Sequence, residues 1–133
     1  MDTLDIIRLE ATDLEGARRW DHFVQQTPEG SFFHLSGWQR VIEGAFGHRT
    51  HFLQAIDRSG GVPTVVGVLP LVHVRSVLFG SSLSSLPFAV YGGVLAPGEE
   101  TRQALMHAAH QLAQELGVDH LELRHRRMMC PQW

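Results

Sequence analysis

Apolar residues recur at helical spacing in three stretches of the chain and run nearly unbroken in others. Leu4 to Leu9 is rich in Ile and Leu and reads as a first strand. Asp13 is a good N-cap for a helix over Leu14 to Gln26. Within it Ala17, Trp20 and Val24, with Phe23 beside them, make one apolar stripe, and Pro28-Glu29-Gly30 stops it. The clearest helical pattern is the second, Ser36 to Phe46. There Trp38, Val41, Ile42, Ala45 and Phe46 fall at i, i+3, i+4, i+7 and i+8. Ser36 with Gln39 three residues on predicts a capping box, and Gly47 suits the left-handed conformation that ends a helix.

The middle of the chain reads as strands. Thr50 to Asp57 is one, and Arg58-Ser59-Gly60-Gly61 predicts the turn of a hairpin. Val62 to Arg75 is Val-rich and continuous, as in a strand buried on both faces. Pro70 would interrupt its hydrogen-bond ladder, which predicts a bulge or an edge there. Ser76 to Pro87, with its many serines, reads as an excursion or long loop, and Phe88 to Leu95 as the fourth strand. Glu99 and Glu100 open a third helix, where the dipole favours them; Leu105, Ala109, Leu112 and Leu116 form its stripe, and Gly117 ends it. Val118 to Arg124 is the last strand. The expected order is β-α-α-β-β-β-α-β, an α/β (α+β) architecture with a mixed sheet, in which the third helix permits a parallel crossover between the last two strands.

Composition narrows the class. The 133 residues are 44% apolar and 19% charged, as in a globular domain. Eleven basic residues, all Arg, face fourteen acidic ones, so no basic excess points to DNA binding. The single cysteine, Cys130, excludes an intrachain disulfide and a multi-Cys zinc site. The longest apolar stretch, Val62 to Val74, is about 13 residues broken by two prolines, too short to span a membrane. The acidic, mixed first ten residues do not read as a signal peptide, so a cytoplasmic protein is expected.

Nine histidines stand out. His107 and His110 lie three apart on the third helix, with Gln103 and Gln114, opposite the leucine stripe; a solvated face is the plainer reading than a metal site. His48 and His51 straddle a helix end and a strand start, where His48 complements the helix dipole. His73 in an apolar strand reads as a satisfied structural histidine. Neither a phosphate-cradling glycine loop nor a nucleophile elbow is present. Arg124 to Arg127 reads either as a phosphate-holding cluster or as a solvated strand end. Tyr91 beside Gly92-Gly93 suggests a ligand approach, because bare backbone leaves room for one.

Ser31-Phe32-Phe33-His34 followed by Gly37-Trp38, Val41-Ile42-Glu43 and Phe46-Gly47-His48 resembles the opening of FemAB-like proteins. Gly67-Val-Leu-Pro-Leu-Val-His73-Val74, Leu78-Phe79-Gly80 and Leu86-Pro87-Phe88-Ala-Val-Tyr91-Gly92-Gly93 continue the likeness, particularly to the subgroup associated with exosortase/PEP-CTERM systems. The resemblance implies a GNAT-type acyltransferase unit over residues 1–127, truncated after its fifth strand, with 128–133 an unmatched tail. Family members usually pair two such units and transfer acyl or aminoacyl groups to amines. The implied role is the N-terminal half of such a transferase in cell-envelope or exopolysaccharide biosynthesis, the isolated chain being inactive. A non-catalytic binding or dimerisation module is the alternative. The implied partners are a small-molecule or cell-envelope precursor and either the missing second unit or a second copy. Acyl-CoA or aminoacyl-tRNA would serve the full-length family. No cofactor is evident here, because the Arg/Gln-x-x-Gly-x-Gly/Ala pyrophosphate loop is absent between Gly93 and the third helix. The resemblance places ligands near the ends of the fourth and fifth strands. That puts Tyr91, Gly92 and Gly93 on one wall, Phe33, His34 and Trp38 on another, and His73 and Arg75 toward an anionic group. It assigns no catalytic residue and no metal.

Overall fold

The computed structural model describes residues 4–28, 30, 34–76, 80–85 and 94–122. Along the chain they form β1 (Leu4–Arg8), α1 (Leu14–Gln26), α2 (Gly37–Ala45), β2 (Arg49–Asp57), β3 (Thr64–Ser76), β4 (Gly80–Ser85), α3 (Glu99–Leu116) and β5 (His120–Glu122). The strands make one sheet in the order β1-β2-β3-β4-β5. The first three pairings are antiparallel and β4–β5 is parallel, as the helix between them requires.

Alternation along the strands sorts side chains between two apolar clusters. Phe52, Ile56, Val68 and Val72 join Trp20 and Val24 of α1 and Ile42 of α2. Leu53, Ala55, Leu69, Leu71, Leu83 and Leu121 join Leu105, Ala109 and Ala113 of α3. Helices therefore cover both faces of a mixed sheet. Between Ala55 and Ile56 the β2–β3 register shifts, leaving Val66 as the extra residue. This bulge flips the parity of β3, so Val65 faces the same cluster as Val68.

Asp13 caps α1 as its sequence predicts, accepting a hydrogen bond from the Gly16 N–H. The second helix departs from its pattern. Val41, Ala45 and Phe46 are exposed, and the buried positions are Gln39 and Ile42. Ser36 and Gln39 form no capping box. Ser36 donates its N–H and hydroxyl to Asp21 on α1, at 2.7 and 2.9 Å. Gln39 points inward, donating to the Leu9 carbonyl and the Thr50 hydroxyl. Both side chains serve tertiary contacts, which outweigh the local cap.

The serine-rich stretch read as a loop contains β4. Its β propensity is low, but β3 and β5 flank it on both sides, and Leu83, Ser84 and Ser85 are buried. Of Phe88 to Leu95, read as the fourth strand, residues 88–93 lie outside the described residues; Leu95 makes one antiparallel bridge to Val68. At Pro70 the β2–β3 register runs without a bulge, Pro70 lying opposite Phe52, and on its other side no described residue pairs with it. Val68 exchanges both backbone hydrogen bonds with Leu95, while β4 pairs begin at Leu71–Ser85. Residue 70 faces the same side of the strand as residue 68. The missing proline N–H thus falls where β3 changes neighbour.

Of the last predicted strand, His120 to Glu122 is extended, and residues 123 and 124 lie outside the described set. Gly80, at φ +82°, lets β4 start tightly against the chain entering β5. The Ser81 N–H donates to Asp119 Oδ2 at 2.8 Å, and the Asp119 N–H returns a bond to the Ser81 carbonyl. No described helix is long and apolar enough to cross a membrane.

Candidate functional site

Where β1 leaves the sheet and α2 hands over to β2, a buried polar network fixes three elements to one another. Thr50, fully buried, receives Gln39 from α2 and donates its hydroxyl to the Glu43 carboxylate. Its carbonyl accepts from Arg8 Nε and Nη2, at 3.1 and 2.9 Å. Arg8 Nη1 turns outward to Glu10 at 2.9 Å, and Arg8 Nη2 lies 3.9 Å from Glu43. Each buried polar group of this knot finds a partner, as a low-dielectric setting demands.

The knot forms the back of an open cleft of about 490 Å³ lined by Arg8, Glu43, His48, Arg49 and His51. Gly47, at φ +70°, turns the chain out of α2 so that His48 and Arg49 reach the rim. Beyond His51, across the β2–β3 pair, lies His73. The two imidazole centroids are 6.4 Å apart, which the register explains, since Arg49 is opposite His73 and His51 opposite Leu71.

Burial is the largest cause holding the pKa of both imidazoles below the ordinary value of 6.5. For His51 the charges of Arg8, His73 and Arg49 add to this and Glu43 opposes it. For His73 the added charges are Arg75 and Arg49. Among the described residues His51 Nε2 and His73 Nδ1 are buried without a hydrogen-bond partner, so His73 is not the satisfied histidine that its apolar strand predicts. An imidazole in such surroundings stays neutral near pH 7 and can accept a proton only at a cost.

The residues singled out in the sequence separate into groups. His34 is buried beside α1, and its carbonyl accepts the Trp20 indole N–H at 2.6 Å. Trp38 packs, half-buried, on the same cluster as Trp20. His73 belongs instead to the His51–Arg49 group on the other side of the sheet, and Arg75 follows it, exposed, opposite Ser81. Phe33, Tyr91, Gly92 and Gly93 lie outside the described residues. Ser85 pairs with Leu71 and Leu95 bridges to Val68, on either side of Pro70. His73 lies three residues farther along β3, roughly 10 Å away.

Sequence reasoning missed Arg8, Glu43 and Arg49 as site residues. The signal was the run His48-Arg49-Thr50-His51, whose alternation on a strand sets Arg49 and His51 on one face. Arg8 and Glu43 join it only through strand pairing and the packing of α2 on β2. Among the described residues no group of three or more His, Cys, Asp or Glu is placed to hold a metal ion. No family model matches the chain, and no curated protein is significantly similar to it.

Proposed function

We propose that this chain is the N-terminal, GNAT-type half of a FemAB-like transferase, passing an acyl or aminoacyl group to an amine of a cell-envelope or exopolysaccharide precursor. One observation carries the reading: β3 gives up β4 and takes Leu95 at Pro70, beside a parallel β4–β5 pair closed through α3. The resemblance puts ligands near the ends of the fourth and fifth strands read from the sequence, with Tyr91, Gly92 and Gly93 on one wall. In this reading Tyr91 offers a hydroxyl to the precursor, and the two glycines leave space for it.

Amine attack on an activated acyl group needs a base for the amine and donors for the developing oxyanion. In this reading this half binds the acceptor, and a second unit supplies the base and the donors. The donor expected is aminoacyl-tRNA or another activated acyl group held by the complete enzyme, since this chain lacks the pyrophosphate loop for coenzyme A. The alternative, a binding or pairing module with no transferase partner, is favoured by one feature, the edge position of β5. The two separate in an acyl-transfer assay with amine-bearing envelope precursors, run on the chain alone and with the rest of a FemAB-like enzyme added in trans. Transfer that appears only on complementation supports the half-enzyme. Precursor binding with no transfer in either arm supports the module.

A further inference from the structure

We infer that the cleft lined by Arg8, Glu43, His48, Arg49 and His51 is a binding site for a small phosphate-bearing molecule, anchored by Arg49. This site is distinct from the stretch of β3 around Pro70 and does not depend on the acyltransferase reading.

The charges of the lining decide the sign of the ligand. Arg8 is spent: Nε and Nη2 hold the Thr50 carbonyl and Nη1 holds Glu10. Glu43 commits Oε2, which accepts the Thr50 hydroxyl and faces Arg8, and keeps Oε1 as an acceptor. Arg49 is left over. Among the described residues its guanidinium has no hydrogen-bond or ion-pair partner, although it stands beside a second guanidinium and three imidazoles. His48 likewise uses only its backbone N–H, which donates to the Ile42 carbonyl. With Arg8 offset by Glu10 and Glu43, the exposed Arg49 guanidinium keeps its donors for a ligand anion.

The geometry of the donor favours phosphate. A guanidinium presents a planar fork that matches two phosphate oxygens, and imidazole N–H groups can take the third. A volume of about 490 Å³ falls within the range of small-molecule sites, so the phosphate is read as one end of a larger ligand. The carboxylate of Glu43, fixed at the back, would repel a second anionic group and accept a hydroxyl, which fits a sugar phosphate better than a pyrophosphate.

The test is isothermal titration of the chain with inorganic phosphate, glucose 1-phosphate, pyrophosphate and acetate, alongside the histidine ring signals in NMR spectra. Both single phosphates should bind saturably and move the His48 and His51 signals, glucose 1-phosphate more tightly. Arg49→Gln should weaken both by about tenfold or more, as expected for losing a charged pair of hydrogen bonds. Arg49→Lys should recover only part. Arg58→Gln, at the far end of β1–β2 where Arg58 pairs with Asp5, should bind like the parent. Circular dichroism checks that each variant folds. Acetate binding as tightly as phosphate, a non-saturable response, or an Arg49→Gln variant with unchanged affinity would each overturn the assignment.

Discussion

Gly67 shows how one residue sets the distance between layers. A Cβ there would come within 2.7 Å of Thr101 Cγ2 and 2.9 Å of Leu105 Cδ1, so α3 lies directly on the β3 backbone. Gly67→Val should destabilise the fold by about 1–3 kcal/mol through overpacking, measured as a lower midpoint in urea unfolding. Gln39 is the counterpart among polar residues. Replacing it with Leu leaves the Leu9 carbonyl without this donor inside the protein, at a cost of about 1–3 kcal/mol in the same measurement. The histidine pair makes stability depend on pH. His51 and His73 bind protons more weakly when folded than when unfolded, so the unfolded chain takes up more protons as the solution is acidified. Their contribution is therefore fully present above the unfolded pKa near 6.5 and is lost as pH falls through the depressed folded values. Thermal unfolding midpoints should fall with acidification over that window, and the double variant His51→Gln, His73→Gln should flatten the dependence there. Equal slopes for parent and double variant would contradict it. That pairing was hidden in the sequence, because 22 positions separate the two histidines and only the strand register brings them together.

At the scale of elements, legibility followed the strength of periodicity. α1 and α3 have the expected bounds, because their stripes and end signals agree with the burial they find. Even so, α3 shifts its stripe at the C-terminal end, burying Ala113 where Leu112 and Leu116 are only half-buried. The second helix forms where its pattern places it but turns a different face inward. Its apolar residues outnumber what one side can bury, and the polar demand of Thr50 and Leu9 pulls Gln39 in. β4 was illegible because serine and glycine have poor strand propensity, and only flanking strands make the segment extended. Its start depends on Gly80, where a Cβ would lie 2.2 Å from Asp119 Oδ2. Gly80→Ala should cost about 1–3 kcal/mol from the positive φ and this clash. A variant with parental stability in urea would mean that the Asp119 clasp does not hold β4 to β5.

For the whole molecule, the layered mixed sheet was readable from the order of elements, while the change of neighbour along β3 at Pro70 was not. The proline announced an interruption, but only the pairing of Leu71 with Ser85 and of Val68 with Leu95 shows that β3 changes neighbour there. The candidate site was legible in part. His73 and Arg75 were marked from the strand, yet their company proved to be His51 and Arg49 and not Trp38. β5 occupies the sheet edge, three residues long in the described chain. Edges recruit further strands, so the isolated chain should self-associate unless a second unit covers it. Analytical ultracentrifugation showing a monomer at high concentration would count against that. The central claim is that the segment carrying Tyr91 and Gly92 receives an envelope precursor and not coenzyme A. It is tested most directly by calorimetric titration of the chain with anionic cell-wall or polysaccharide precursors and with coenzyme A, repeated on Tyr91→Phe and Gly92→Val. The account predicts saturable precursor binding, weakened in both variants, and poor binding of coenzyme A. Tight coenzyme A binding, or precursor binding unchanged in both variants, would contradict it.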